Sequence, residues 1–500
     1  MEFNWSISLL SSFLKEELNR FDDYLRSPFF NRSKRMLQLF RMLRYFHPEY
    51  KSWALTNERL YERLFPKQEF NLSTINNLFA KLHNHLLDFM LFESLRYNSK
   101  ERNALLLKEV GRRRLDKLFL RLSTVIDEKL SNQSGLYSEL FLDRYELAIA
   151  NFDYSYLNER ISKRERVESD YKNLNDAAFY LYTYFFTEYS ALAIAKYVYS
   201  LNYDVTDDND LVEHVAVLQN SNSIEKLSGM HKHGYILKLY LRMFEMYNDM
   251  YNESKYRAYR EEIEKCSTRL TFSELSFHYI KLVSYWVLKI VYKNDTDGGK
   301  ELFGIYNEML EKKLYREGKS EYLDYELYRD ILVHSVKIKE YQWVEKFIEK
   351  YSMEGPPEER ENMYHYGYAR FYFEIYDFKK ALHHINKVDT NHAVFKYDYK
   401  NLLLRVYYET NDYDGVLHMI KTYLELLNSK DILSSSIKIH YKWFVKYTER
   451  LIRANEGDKK KIKTNLNILR RNLVRINNVS FKKWLLEKID QAVRGAVKAG

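Results

Sequence analysis

Along this chain apolar residues recur every third or fourth position. No stretch alternates apolar with polar residues, with β-branched enrichment, for long enough to make a strand. Spacing of this kind gathers apolar side chains on one side of a helix. Within residues 55–89 it places Ile75, Leu78, Phe79, Leu82 and Phe89 on a buried face and Asn76, Asn77, Lys81 and Asn84 on an exposed one. Near the C-terminus it sets Leu433, Ile437, Tyr441, Phe444 and Leu451 roughly 160° from Lys438, Lys442, Lys446, Arg450 and Arg453, at about 100° per residue. Helix breakers are scarce: the prolines are at 28, 48, 66, 356 and 357, and the first glycine is Gly111. Turns are expected at 26–31, 46–50 and 64–73. Short polar connections are expected at 131–135, 158–170, 204–210, 294–299 and 316–321. The pattern predicts an all-α fold of stacked helical hairpins.

One stretch is written twice. YFEIYDFKKALHHI at 372–385 returns as YYETNDYDGVLHMI at 407–420, thirty-five residues later. Tyr372 and Tyr407, Asp377 and Asp412, Leu382 and Leu417, His383 and His418, and Ile385 and Ile420 are identical pairs, while Ala381 and Val416 share a small slot. A weaker copy, EYQWVEKFI, puts Tyr341, Val344 and Ile348 in the slots of Phe378, Ala381 and Ile385, thirty-seven residues earlier. A period of about 34 residues is that of repeated helical hairpins.

On these residues, 325–430 resembles the tetratricopeptide repeats. Their motif places Trp, Leu, Gly and Tyr on a first helix, Ala and Phe on a second, and then Pro. The slots read His365, Tyr368, Ala369, Tyr372, Ala381 and Ile385 in one unit and Lys400, Leu403, Leu404, Tyr407, Val416 and Ile420 in the next. The weaker unit has Ser335 in the Tyr slot, and Pro356 follows Ile348 by eight residues. The resemblance implies a solenoid that binds a protein or peptide. The resulting division is a helical module at 1–98, a helical-hairpin array at 99–324, tetratricopeptide-like repeats at 325–430 and basic capping helices at 431–500.

Composition narrows the function. A 46% hydrophobic, 30% charged chain folds rather than remaining disordered, and its 46 tyrosines and 29 phenylalanines are expected to fill helix–helix contacts. The single cysteine, Cys266, cannot form an intrachain disulfide, so a reducing, cytoplasmic setting is expected, with no secretory signal at the N-terminus. The apolar run 177–199 contains Glu188 at its centre and reads as a buried helix rather than a membrane span. Phosphate-loop, calcium-loop, zinc-helix and nucleophile-elbow patterns are all broken or missing, and His383 and His418 share a structural repeat slot. Neither catalysis nor a cofactor or metal is expected.

Two features rise above this background. Residues 437–500 carry 17 Lys and Arg against 5 Asp and Glu, a net of +12; the whole chain is +9, so residues 1–436 sum to −3. Lys438, Lys442, Lys446, Arg450 and Arg453 are the candidate partner-binding residues, facing an acidic protein surface or a nucleic acid, or forming only a soluble cap. Residues 55–89 resemble the core of a winged helix-turn-helix, although the sequence continues as helix where the wing should be, as a plain helical hairpin would. The leading expectation is a scaffold that binds a protein or peptide. The alternative is a transcription regulator with an N-terminal DNA-binding module and a repeat sensor region.

Overall fold

The computed structural model describes residues 5–51, 53, 55–97, 99–132, 138–157, 163–203, 223–292, 298–316, 321–389, 395–429, 435–455, 459–476 and 478–498. Among them every regular element is a helix. Leu433 and the expected connections at 133–135, 158–162, 204–210, 294–297 and 317–320 lie outside the described residues. Two compact units divide the chain, one of residues 1–133 and 140–181, the other of 134–139 and 182–500.

The first unit opens with α1 (Trp5–Ser12), α2 (Lys15–Arg26), α3 (Lys34–Arg44), α4 (Asn57–Leu64) and α5 (Leu72–Tyr97). Ser33 and Thr56 cap α3 and α4 by accepting the backbone N–H of Met36 and Arg59, which explains why those helices begin there. α5 packs against all four predecessors. Its Ile75, Leu78, Phe79, Leu82 and Phe89 are buried with Leu18, Phe21, Met36, Leu39 and Phe40, each such side chain contributing about 1.5–3 kcal/mol. Asp22 is buried beneath Arg41 and Arg26, and the hydrogen bond from Arg41 holds its carboxyl below the usual range. α6 (Ser99–Arg112), α7 (Asp116–Asn132) and α8 (Ser138–Leu157) follow.

α9 (Lys163–Tyr203) contains the boundary between the units. Residues 163–170, expected to be part of a connection, are its first turns. Arg164 and Glu168 pair there at 3.5 Å one turn apart, and alternating charge of this kind supports an exposed helix. Further on, Tyr180, Thr183, Phe186, Thr187, Ser190 and Ile194 are buried. No helix among the described residues is long and apolar enough to cross a membrane.

The second unit continues with α10 (Ser223–Met230), α11 (Gly234–Asn248), α12 (Glu253–Cys266), α13 (Phe272–Tyr292), α14 (Gly298–Glu311), α15 (Tyr325–Lys337), α16 (Tyr341–Tyr351), α17 (Arg360–Glu374), α18 (Phe378–Ile385), α19 (Phe395–Glu409) and α20 (Tyr413–Asn428). From α11 onward successive helices pack as hairpins, α11 with α12, α13 with α14, and so on to α19 with α20. The last three share one geometry. Their turns pass through Lys339, Tyr376 and Asn411, with φ of 68°, 64° and 59°. In each, the next N–H, that of Glu340, Asp377 or Asp412, donates to a carbonyl five residues back, at Ser335, Tyr372 or Tyr407, over 3.1, 2.9 and 2.9 Å. This left-handed helix ending satisfies carbonyls that the helix alone leaves open. Asp377 and Asp412 then cap α18 and α20.

Side chains repeat with the backbone. Val344, Ala381 and Val416 occupy the small slot, each 0% exposed, so the second helix of each of these three hairpins approaches closely. One contact spans nineteen residues each time: Tyr328 stacks on Phe347, His365 meets His384, and Lys400 reaches Met419.

The C-terminal helices α21 (Ser435–Ala454), α22 (Lys459–Arg475) and α23 (Lys482–Lys498) are continuous with this core. Phe444, Leu451, Leu466, Leu485 and Ile489 join Leu404, Val416, Ile420 and Tyr423 in a single apolar cluster. Arg405, buried, has its guanidinium 4.7 Å from the ring centre of Phe373 and 4.1 Å from that of Phe481. Glu409, its side chain 9% exposed, accepts from Trp484 Nε1 and Lys488 Nζ, both at 2.7 Å.

Candidate functional site

The five C-terminal bases lie on one face of α21, because steps of three or four residues return to the same side of a helix. Phe444, Val445, Tyr447, Thr448, Leu451 and Ile452 are buried on the other side. Ile437, expected in that packed set, is 38% exposed: the rings of Tyr397 and Tyr423 meet the helix at Tyr441, one turn later.

The five are not equivalent. Lys438 Nζ donates to the carbonyl of Ser429 at 2.8 Å, and Arg453 is ion-paired with Glu449, so both are engaged within the chain. Half-buried Lys442 and exposed Lys446 and Arg450 have no carboxylate within ion-pair distance among the described residues. The Lys446 ammonium stands 5.1 Å from the ring centre of Trp443, and the Arg450 guanidinium 5.6 Å from that of Tyr447. These rings hold the stems extended while leaving the charges in water. The result is three cations on successive turns of a rigid helix.

Other residues singled out from the sequence are placed differently. Asn76, Asn77, Lys81 and Asn84 are exposed on α5, as patterned. His383 and His418 share their slot on the exposed side of α18 and α20, and the repeated internal contact uses the next residue, His384 or Met419. His365 and His384 meet through their Nδ1 atoms at 3.0 Å, beside Tyr364, Tyr368 and Tyr372. Burial, reinforced by His365, pushes His384 down to about 4. Cys266 is buried, and burial with the nearby Glu262 pushes its thiol up to about 11, away from the reactive thiolate.

Sequence reasoning missed a groove that the fold assembles between α13 and α15. Ile280 and Val283 come from α13, and Asp324, Glu326, Leu327 and Asp330 from the start of α15. The residues are some fifty positions apart, and the only signal was the cluster of acids in EYLDYELYRD.

No family model matches the chain, and neither a curated protein nor a solved structure matches it.

Proposed function

We propose that this chain is a non-catalytic scaffold of tetratricopeptide-like helical hairpins that holds a protein or peptide partner, an acidic surface of which meets α21. The observation that carries the reading is the set Lys442, Lys446 and Arg450, which has no ion-pair partner among the described residues. Charges at a helix surface contribute little to folding, so three uncompensated cations on one face are better explained by association than by stability. The opposite face of α21 is fixed in the hairpin core, which orients the cations without ordering cost.

The test is reversal of all three, Lys442→Glu, Lys446→Glu and Arg450→Glu. Binding of a fluorescent poly-glutamate probe to the full chain should be lost, while the melting temperature moves little. Wild-type binding should weaken as salt rises from low to moderate concentration. Probe binding that is insensitive to salt and survives the reversal refutes the reading. Stronger binding of duplex or single-stranded oligonucleotides, with a log-log salt slope near 0.9 per phosphate contact, would make the partner a nucleic acid instead.

A further inference from the structure

We infer that the groove between α13 and α15 docks a peptide segment of a partner protein in which an aliphatic side chain is flanked by Lys or Arg. The inference rests on the scaffold reading but uses a different surface from the basic face of α21.

The groove encloses about 340 Å³, near the lower limit of the ~300–1,000 Å³ usual for ligand sites. That is room for a few side chains and not for a large cofactor. Met309 and Leu314 close its floor, while Ile280 and Tyr322 are 41% and 38% exposed on its walls beside Val283 and Leu327. Exposed aliphatic and aromatic walls around a closed apolar floor favour an aliphatic occupant, which removes that surface from water.

The mouth is acidic. Asp324, Glu326 and Asp330 line it, and among the described residues no Lys or Arg does. Asp324 spends one oxygen on the N–H of Leu327 and Asp330 is shared with Arg329, whereas Glu326 has no basic partner among the described residues. Asp324 to Asp330 spans about 9 Å at 1.5 Å per residue, too long for one small cation. That length matches basic residues nearly two turns apart on a helical segment, or three apart in an extended one. The charge pattern therefore selects a basic segment and rejects an acidic one.

The experiment uses the full chain with labelled Ile, Leu and Val methyl groups, titrated with a Leu–Lys amphipathic peptide and, separately, with its Leu–Glu counterpart. The Leu–Lys peptide should shift the methyls of Ile280, Val283 and Leu327 to saturation. The combined change Asp324→Asn, Glu326→Gln and Asp330→Asn keeps the cap and should weaken binding about tenfold. Ile280→Lys, at an exposed position, should abolish binding with an unchanged melting temperature. Unshifted groove methyls, shifts of those methyls with equal affinity by the two peptides, or full binding by either variant would overturn the inference. Reversal of Lys442, Lys446 and Arg450 should leave this titration intact, so failure of the groove and failure of the basic face are read separately.

Discussion

Gly367 sits in the middle of α17, where a glycine is ordinarily a weakness. Replacing an exposed helical glycine with alanine stabilises by about 1 kcal/mol. Here the added Cβ would overlap the hydroxyl of Tyr328 and come within 3.0 and 3.1 Å of the two γ carbons of Ile348. Tyr328 is 0% exposed, and its hydroxyl donates to the carbonyl of Met363 at 3.0 Å. Gly367→Ala must therefore break or bend that bond, at about 1–3 kcal/mol, and overpack the contact with Ile348, at a further 1–3 kcal/mol. Set against the helical gain, the net loss should be about 2–3 kcal/mol. Tyr328→Phe alone should cost about 1–2 kcal/mol. Because it removes the obstructing oxygen, the double variant should be little worse than Tyr328→Phe, a coupling of about 2 kcal/mol. A chain with two compact units need not unfold in one step, so the readout is native-state hydrogen exchange at α15, α16 and α17 alongside urea denaturation. Stabilisation by Gly367→Ala, or additive losses in the double variant, would refute the reasoning.

Two further outcomes follow from the repeat. Ala381→Arg should cost on the order of 3 kcal/mol in urea denaturation, since it forces a charge into the closest helix approach. Ala381→Val, which copies Val344 and Val416, should cost less than about 1.5, and exposed Lys379→Ala less than about 0.5. For His384, the folded chain binds a proton only near pH 4 while the unfolded chain does so near 6.5. The unfolded state therefore carries more protons across that window, and stability falls as pH drops through it. Solvent at this half-buried ring limits the loss to about 1–2 kcal/mol. His384→Met, the residue at the equivalent Met419, should flatten that part of the pH profile of denaturation midpoints.

The hairpin register was legible because it is written in side-chain size: Val344, Ala381 and Val416 are small for a reason visible in any helical pattern. The turns were not, since Lys339, Tyr376 and Asn411 have nothing in common chemically and are linked only by position. Identity also misled. His383 and His418 match in letter yet face solvent, whereas the working contact joins unlike pairs, Tyr328 with Phe347, His365 with His384 and Lys400 with Met419, which fill the same space with different chemistry. The basic face could be read from helical spacing, but which of its members are free could not. The engagement of Lys438 with Ser429 depends on where the preceding helix ends. The acidic groove joins distant segments, and helical spacing carries no information about such pairings.

Arg405 makes the array closed at one end. Burial, with Arg370 nearby, pulls its guanidinium down to about 9, and the ring of Phe481 forms one wall of its site. Trp484 and Lys488, a few residues further on, fill the coordination of Glu409. A chain cut before Phe481 would thus expose two charges shaped for burial, and would be worse off than one that had never had them. Duplication of a thirty-five-residue unit is therefore open to this architecture between Tyr325 and Asn428, where each hairpin meets another like itself. After Asn428 an added hairpin would have to supply its own aromatic lid for Arg405 and its own cation for Glu409.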